Sequence, residues 1–160
     1  MTWSVVVLAV ALLLAVYIAW TAGRLDRQHA RVDAAWAALD AQLVRRAAAA
    51  RELVHLLPAG PPARLLEQVA LQALDAGVVG REVVENDLNR ALRAALPLLP
   101  LHTPISELQA AGIRVGLARS FHNTAVNDTR SLRFRRLPRV LRLAGHRGMP
   151  LFFEIDDTAL

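Results

Sequence analysis

The chain of 160 residues contains no cysteine, so disulfides, thiolate metal sites and cysteine nucleophiles are excluded. It also contains no lysine, and all 19 basic residues are arginine, a usage that suggests a GC-rich bacterial genome more than a function. Aromatic residues make up only 5% of the chain, which favours helices packed through Leu, Val and Ala over a β-sheet. No Gly-rich phosphate loop, G-x-S-x-G or kinase motif occurs. The sequence therefore predicts a protein that is not an enzyme.

The chain does contain one long apolar run near its N-terminus. Residues 3–22 include no charged residue and no proline, and a helix of that length spans the roughly 30 Å hydrocarbon core of a bilayer. Trp3, Tyr17 and Trp20 lie near its two ends, where aromatic rings favour the membrane interface. The run therefore predicts a transmembrane helix within residues 1–23.

A cleaved signal peptide is the alternative interpretation of this run. Signal peptides have a positive N-terminal region, a shorter apolar stretch and a small-x-small cleavage site, and the run matches these features poorly. We therefore expect a retained anchor. Arg24, Arg27 and Arg31 follow the span, and positive charge is retained on the cytoplasmic side. These arginines predict an inner-membrane, single-pass protein with its soluble domain in the cytoplasm.

The remainder of the chain has helical periodicity. Prolines and glycines divide it into helices that we expect at 24–57, 63–76, 81–96 and 104–134, with Thr103 as the N-cap of the last. Apolar residues recur at steps of three, four and seven on one face of the first helix, which includes Leu39 and Leu43, and at steps of three and four on the last, which includes Val115. The apolar residues of the second helix are Leu65, Leu66, Val69, Leu71 and Leu74. The pattern predicts an all-α fold, in which a single N-terminal transmembrane helix continues into an extended antiparallel four-helix bundle. The domains would be the anchor (1–23), the helical bundle (24–134) and a basic, then aromatic and acidic tail (135–160).

Three segments resemble the signature of the LemA family of membrane proteins. They are the Ala-Trp-Ala-Ala-Leu-Asp-Ala-Gln-Leu-Val-Arg-Arg stretch at 35–46, Glu-Asn-x-Leu-x-x-Ala-Leu at 85–92, and Arg-x-x-His-Asn-x-Ala-Val at 119–126. A Phe153-Glu154 ending is also similar. The resemblance implies a single N-terminal anchor and a four-helix bundle, and it implies no established enzymatic activity. His122 stands where the family usually has Tyr, and Gly112 stands where Glu is common.

Polar residues within these segments form the candidate site. Buried polar groups must be paired, so one interpretation is a structural network, for example Asp40 or Glu85 with Arg119, that fixes the register of the helices. The other interpretation is a groove for a small molecule or peptide near Arg119, His122 and Asn123. The full candidate set is Asp40, Arg46, Glu85, Asn86, Arg119, His122 and Asn123.

Seven arginines and no acidic residue lie between Arg130 and Arg147. This stretch has three interpretations: a solvated face paired with acids of the bundle, contact with anionic lipid headgroups, or nucleic-acid binding. Nucleic-acid binding is the least favoured, because few aromatic residues are interleaved with the arginines. The residues expected to contact lipid are Arg135, Arg136, Arg139 and Arg142.

The sequence predicts no cofactor and no metal site, because Glu52 and His55 form a single Glu-x-x-His pair without a symmetric mate. The function that the sequence favours is a non-enzymatic scaffold that recruits other, unidentified proteins at a lipid bilayer. The alternative is a sensor that binds a small molecule or peptide. An oligomer is compatible with either function.

Overall fold

A computed structural model describes residues 2–135 and 147–156 of the chain. These residues form four α-helices, two short 3₁₀ turns after the first and third of them, and no β-strand. The predicted all-α fold, with one long apolar helix at the N-terminus, is confirmed. The helices are α1 (Thr2–Leu53), α2 (Pro61–Asp75), α3 (Arg81–Ala95) and α4 (Ser106–Arg133).

The start of α4 differs from the prediction. Thr103 does not cap the helix, because its backbone N–H and its hydroxyl both donate to the carbonyl of Pro100, at 3.0 and 2.8 Å. The preceding residue, His102, has a left-handed φ of 75°, so Pro100 to Thr103 form a turn and α4 begins only at Ser106. The prediction of Thr103 as N-cap was wrong because the same residue type also stabilises turns.

The described residues fall into two compact units. The first unit takes the described part of residues 1–34 and 124–151, and the second takes residues 35–123 together with 152–156. Helices α1 and α4 each contribute one segment to both units.

The first unit begins with the apolar part of α1. This helix is long and apolar enough to cross a membrane, and only 6% of its most apolar 18-residue window is buried. Beyond the apolar run, the hydroxyl of Thr129 lies 3.4 Å from the carbonyl of Gln28, and Arg31 lies 3.6 Å from Asp128. These contacts place the end of α4 beside residues 28–31 of α1.

The second unit contains the main hydrophobic core, to which all four helices contribute. The predicted apolar faces are largely confirmed here, although Leu65 and Leu71 of α2 are 48% and 45% exposed. Small alanines such as Ala70 and Ala91 allow α2 and α3 to approach closely, while leucines fill the space between helices. The buried members of this core are Ala47, Ala50, Leu53, Leu66, Val69, Ala70, Ala73, Leu88, Ala91, Leu92, Ala95 and Leu108.

A smaller apolar cluster in the second unit includes residues from the C-terminal part of the chain. Leu39 and Leu43 of α1 and Val115 of α4 pack there with Phe153 and Ile155. Both C-terminal side chains are buried, at 3% and 7% exposure. Residues 153–156, which we call the tail segment, are therefore part of the packed structure of this unit.

Candidate functional site

Glu85 is the centre of a buried charge cluster in the second unit. Its side chain is fully buried, and each carboxylate oxygen accepts a hydrogen bond from a different arginine. Arg46 Nη2 of α1 lies 2.6 Å from Oε2, and Arg81 Nε of α3 lies 3.0 Å from Oε1. Both arginines are also buried, so this carboxylate compensates two charges that water does not reach.

Arg81 extends the cluster in two further directions. Its Nη1 donates to the carbonyl of Ala76 at 2.6 Å and lies 3.3 Å from Oδ1 of Asp40, a side chain that is 43% exposed. The cluster therefore joins α1 to the start of α3 and contains two arginines and two carboxylates. We call these four residues the charge cluster.

The charge cluster brings together three of the predicted site residues and one that sequence reasoning missed. Asp40, Arg46 and Glu85 belong to it, whereas the predicted partner Arg119 contacts the tail segment, as described below. The missed residue is Arg81. Its position four residues before Glu85 on one helix was a signal for pairing, but the second arginine, Arg46, is 39 positions away.

Helix α4 supplies one side of a groove that holds the tail segment. The side-chain amide of Asn123 donates to the carbonyl of Phe153 at 3.0 Å and accepts from the N–H of the same residue at 2.9 Å. One turn earlier on α4, Arg119 Nη1 donates to the carbonyl of Ile155 at 3.2 Å. These contacts are made to backbone atoms of the tail segment.

Helix α3 supplies the opposite side of the groove. The N–H of Glu154 donates to Oε1 of Glu82 at 2.7 Å, and the N–H of Asp156 donates to Oδ1 of Asn86 at 2.9 Å. Further along α3, Asn89 donates to the carbonyl of Asp156, and Arg93 forms an ion pair with the carboxylate of Asp156. The surfaces of α1, α3 and α4 that contact residues 153–156 are called the tail groove.

Helix α1 forms the floor of the tail groove at Trp36. The ring of Phe153 meets the Trp36 ring edge to face, with centroids 5.5 Å apart. His122 makes a similar contact with Trp36 at 5.5 Å and is itself buried. The predicted residues Asn86, Arg119, His122 and Asn123 are thus brought together around the tail segment. Sequence reasoning missed Trp36, Glu82, Asn89 and Arg93 as parts of the groove.

The residues predicted to contact lipid are only partly described. Arg135 is exposed, whereas Arg136, Arg139 and Arg142 lie outside the described residues. Nearby in the first unit, Arg147 lies 3.9 Å from Asp33. Burial, and after it the positive charges of Arg133 and Arg147, lower the pKa of His29 below its usual 6.5.

The charged and amide side chains of the site are engaged in ion pairs and in hydrogen bonds to backbone atoms. Within residues 2–135 and 147–156, no group of three or more His, Asp or Glu side chains is placed to hold a metal ion. The site's carboxylates accept hydrogen bonds from arginines or from backbone N–H groups. The arrangement is suited to holding an extended peptide through its backbone.

Comparisons with known proteins found no significant similarity. No protein-family model matches the chain, no curated protein is significantly similar to it, and no solved structure matches it at a significant level.

Proposed function

We propose that the protein is a non-enzymatic, single-span membrane protein of the LemA type that recruits other proteins to the bacterial inner membrane. In this proposal, residues 3–22 cross the bilayer, the helices form the antiparallel four-helix bundle predicted from the sequence, and the domain lies in the cytoplasm. The observation that carries the proposal is an exposed apolar stripe on α4, well separated in sequence from the membrane segment.

The exposed apolar part of α1 supports the anchor. Leu12 and Leu13, at the middle of the run, are 65% and 69% exposed, which is unfavourable in water and favourable in lipid. At the end of the run, Arg24 Cζ lies 5.7 Å from the centroid of the Trp20 ring. A cation over an indole ring is a suitable arrangement for the membrane interface.

The end of α4 supports a further contact with lipid headgroups. Thr129 lies beside Gln28, six residues and therefore about 9 Å along the helix after Ala22. Arg133 is the last residue of α4 and Arg135 follows the helix, so their charges lie near the expected membrane surface. A basic residue there contributes about 1 kcal/mol of attraction to anionic lipids. The bilayer is thus one partner in this proposal.

The stripe on α4 is the surface proposed for recruitment. Ile113, Leu117 and Phe121 follow one another at intervals of four residues and are 74%, 58% and 63% exposed. Beside them, Ala35 and Ala38 of α1 line a shallow groove of about 220 Å³. A ridge of large residues beside a trough of small ones fits the apolar face of a partner helix. We call Ile113, Leu117 and Phe121 the α4 stripe.

The test of recruitment compares two double variants of the full chain in cell membranes. Leu117→Asp with Phe121→Asp removes the α4 stripe, whereas Val79→Asp with Leu101→Asp changes two residues that are 97% and 91% exposed elsewhere. With a photo-crosslinker at Ile113, we expect the first variant to lose its protein adducts at least tenfold and the control to keep them. The free energy of unfolding of both variants should lie within about 0.5 kcal/mol of the wild-type value, since exposed side chains contribute little to stability. Equal adducts from both variants would contradict recruitment through this stripe.

The cytoplasmic orientation has its own test, because the chain contains no cysteine. Gly60→Cys places one thiol before α2, where a Cβ would meet no atom closer than 3.8 Å. We expect a membrane-impermeant maleimide to label this cysteine only after the cells are lysed. Labelling of intact cells would place the domain on the outer side and redirect the search for partners to the cell envelope.

The alternative function, a sensor for a small molecule or peptide near Arg119, His122 and Asn123, is favoured by one observation. These side chains surround the tail groove, which is occupied by an extended segment of the chain itself. The shape of that occupant favours a peptide over a small molecule as the ligand.

A further inference from the structure

The tail segment is held mainly through atoms that every peptide possesses. Three of its four N–H groups, those at 153, 154 and 156, donate to side-chain oxygens of Asn123, Glu82 and Asn86. Its carbonyls at 153, 155 and 156 accept from Asn123, Arg119 and Asn89. No β-strand takes part among the described residues. The tail groove therefore recognises an extended backbone by means of side chains from two helices.

The side chains of the tail segment add selectivity with a period of two. Phe153 and Ile155 point into the smaller apolar cluster and are buried, while Glu154 and Asp156 are exposed. Phe153 meets Trp36 edge to face, and the carboxylate of Asp156 pairs with Arg93. The groove thus accommodates an aromatic residue, an aliphatic residue two positions later, and an acidic residue immediately after it.

The contacts to the tail segment do not depend on its covalent connection to the rest of the chain. Each backbone bond joins a helix side chain to a segment without regular secondary structure, so the same bonds are available to any chain that adopts this extended form. The tail segment is present at high effective concentration because it belongs to the same molecule. A second peptide must therefore compete with it.

We propose that the tail groove is a peptide-binding site for a partner protein, and that residues 153–156 are its intramolecular occupant. The partner would supply an extended segment with the pattern aromatic-x-aliphatic-acidic and would displace the tail segment. The acid of that pattern is complementary in charge to Arg93, and Arg119 adds a second cation at the groove. This site is separate from the α4 stripe and does not depend on recruitment through it.

The first experiment measures displacement in the folded full chain, held in detergent micelles. Ile155→Cys introduces the only thiol, at a position that is 7% exposed. The probe is a synthetic peptide with the sequence of residues 149–157. We expect saturating peptide to raise the rate at which maleimide labels the introduced thiol at least tenfold. A control peptide with Ala in place of the residues corresponding to Phe153 and Ile155 should leave the rate unchanged.

The second experiment measures binding directly. In the full chain with Phe153→Ser and Ile155→Ser, the intramolecular occupant is weakened, so a fluorescent form of the probe should bind at least tenfold more tightly than to wild type. Adding Asn123→Ala should weaken this binding at least tenfold, because two backbone bonds are lost. The matched change Asn127→Ala, at an exposed asparagine on the same helix, should have no effect.

Three results would overturn the proposal. The first is an unchanged labelling rate of the Ile155→Cys thiol at saturating probe. This measurement tests the proposal even if the chain with Phe153→Ser and Ile155→Ser does not fold. The second is equal binding of the probe and its alanine control. The third is faster labelling of the same thiol when wild-type full chain is added without any peptide. The tail groove would then bind the tail segment of a second copy of this chain, and not a segment of a different partner protein.

Discussion

Replacing Glu85 by alanine is expected to lower the free energy of unfolding by about 3–5 kcal/mol, which is the cost of removing one partner from a buried ion pair. Without Glu85, the guanidinium groups of Arg46 and Arg81 would remain buried, and the ion pair left to them among the described residues is that of Arg81 with the half-exposed Asp40. Unfolding of the full chain by guanidinium chloride in detergent micelles, followed by the helical circular dichroism signal, measures the change in the free energy of unfolding.

The matched control for this prediction is Asp40→Asn. Asp40 belongs to the same charge cluster, but its side chain is 43% exposed, and ion pairs in contact with water contribute only about 0–1 kcal/mol. We expect a loss in that smaller range. Similar losses for the two variants, or a loss below about 1 kcal/mol for Glu85→Ala, would show that the arginines find other partners or water.

Introducing arginine at Leu12 and Leu13 is expected to abolish stable membrane association of the full chain. Each arginine near the centre of a transmembrane helix costs about 2.5–3.5 kcal/mol on insertion scales, so the pair costs about 5–7 kcal/mol. The fraction of protein that stays in the membrane pellet after an alkaline wash measures the effect.

The control for the membrane experiment keeps the same positions apolar. Leu12→Ala with Leu13→Ala shortens both side chains without adding charge, and we expect this variant to remain in the pellet. An N-terminal sequence determined on the wild-type protein adds a second readout, because a retained anchor keeps Trp3 and a cleaved signal peptide loses it. A double arginine variant that still resists the alkaline wash would contradict a membrane span at residues 3–22.

Helical periodicity was sufficient to predict most of the buried faces. Leu39, Leu43 and Val115 were placed on apolar faces by spacing alone, and all three are buried. Such a prediction succeeds because the period of a helix is local, so that each face can be identified without knowledge of its neighbour. The N-cap at Thr103 failed because a turn and a helix start compete for the same residue type.

The composition of the candidate site was less predictable, because its partners are distant in sequence. Arg46 and Glu85 were both singled out, but their pairing depends on how α1 packs against α3, which spacing within either helix does not determine. The tail groove had one local signal. Phe153, Glu154, Ile155 and Asp156 alternate between apolar and acidic, which is the pattern of an extended segment with one buried side. The side chains that bind its backbone had no comparable signal.

The position of the tail segment near the end of the described residues also determines when, during synthesis of the chain, the tail groove is filled. Phe153 is synthesised 30 residues after Asn123, and at about 5–20 residues per second this interval lasts roughly 2–6 s. During that time α1, α3 and the groove-forming part of α4 have already been made, while the occupant of the groove has not. Every nascent chain therefore passes through a period in which Trp36 and its apolar neighbours lack their final cover. Chaperones and proteases that act on newly made proteins have their best access to this surface then, and a chain interrupted before Phe153 lacks a cover of its own for it.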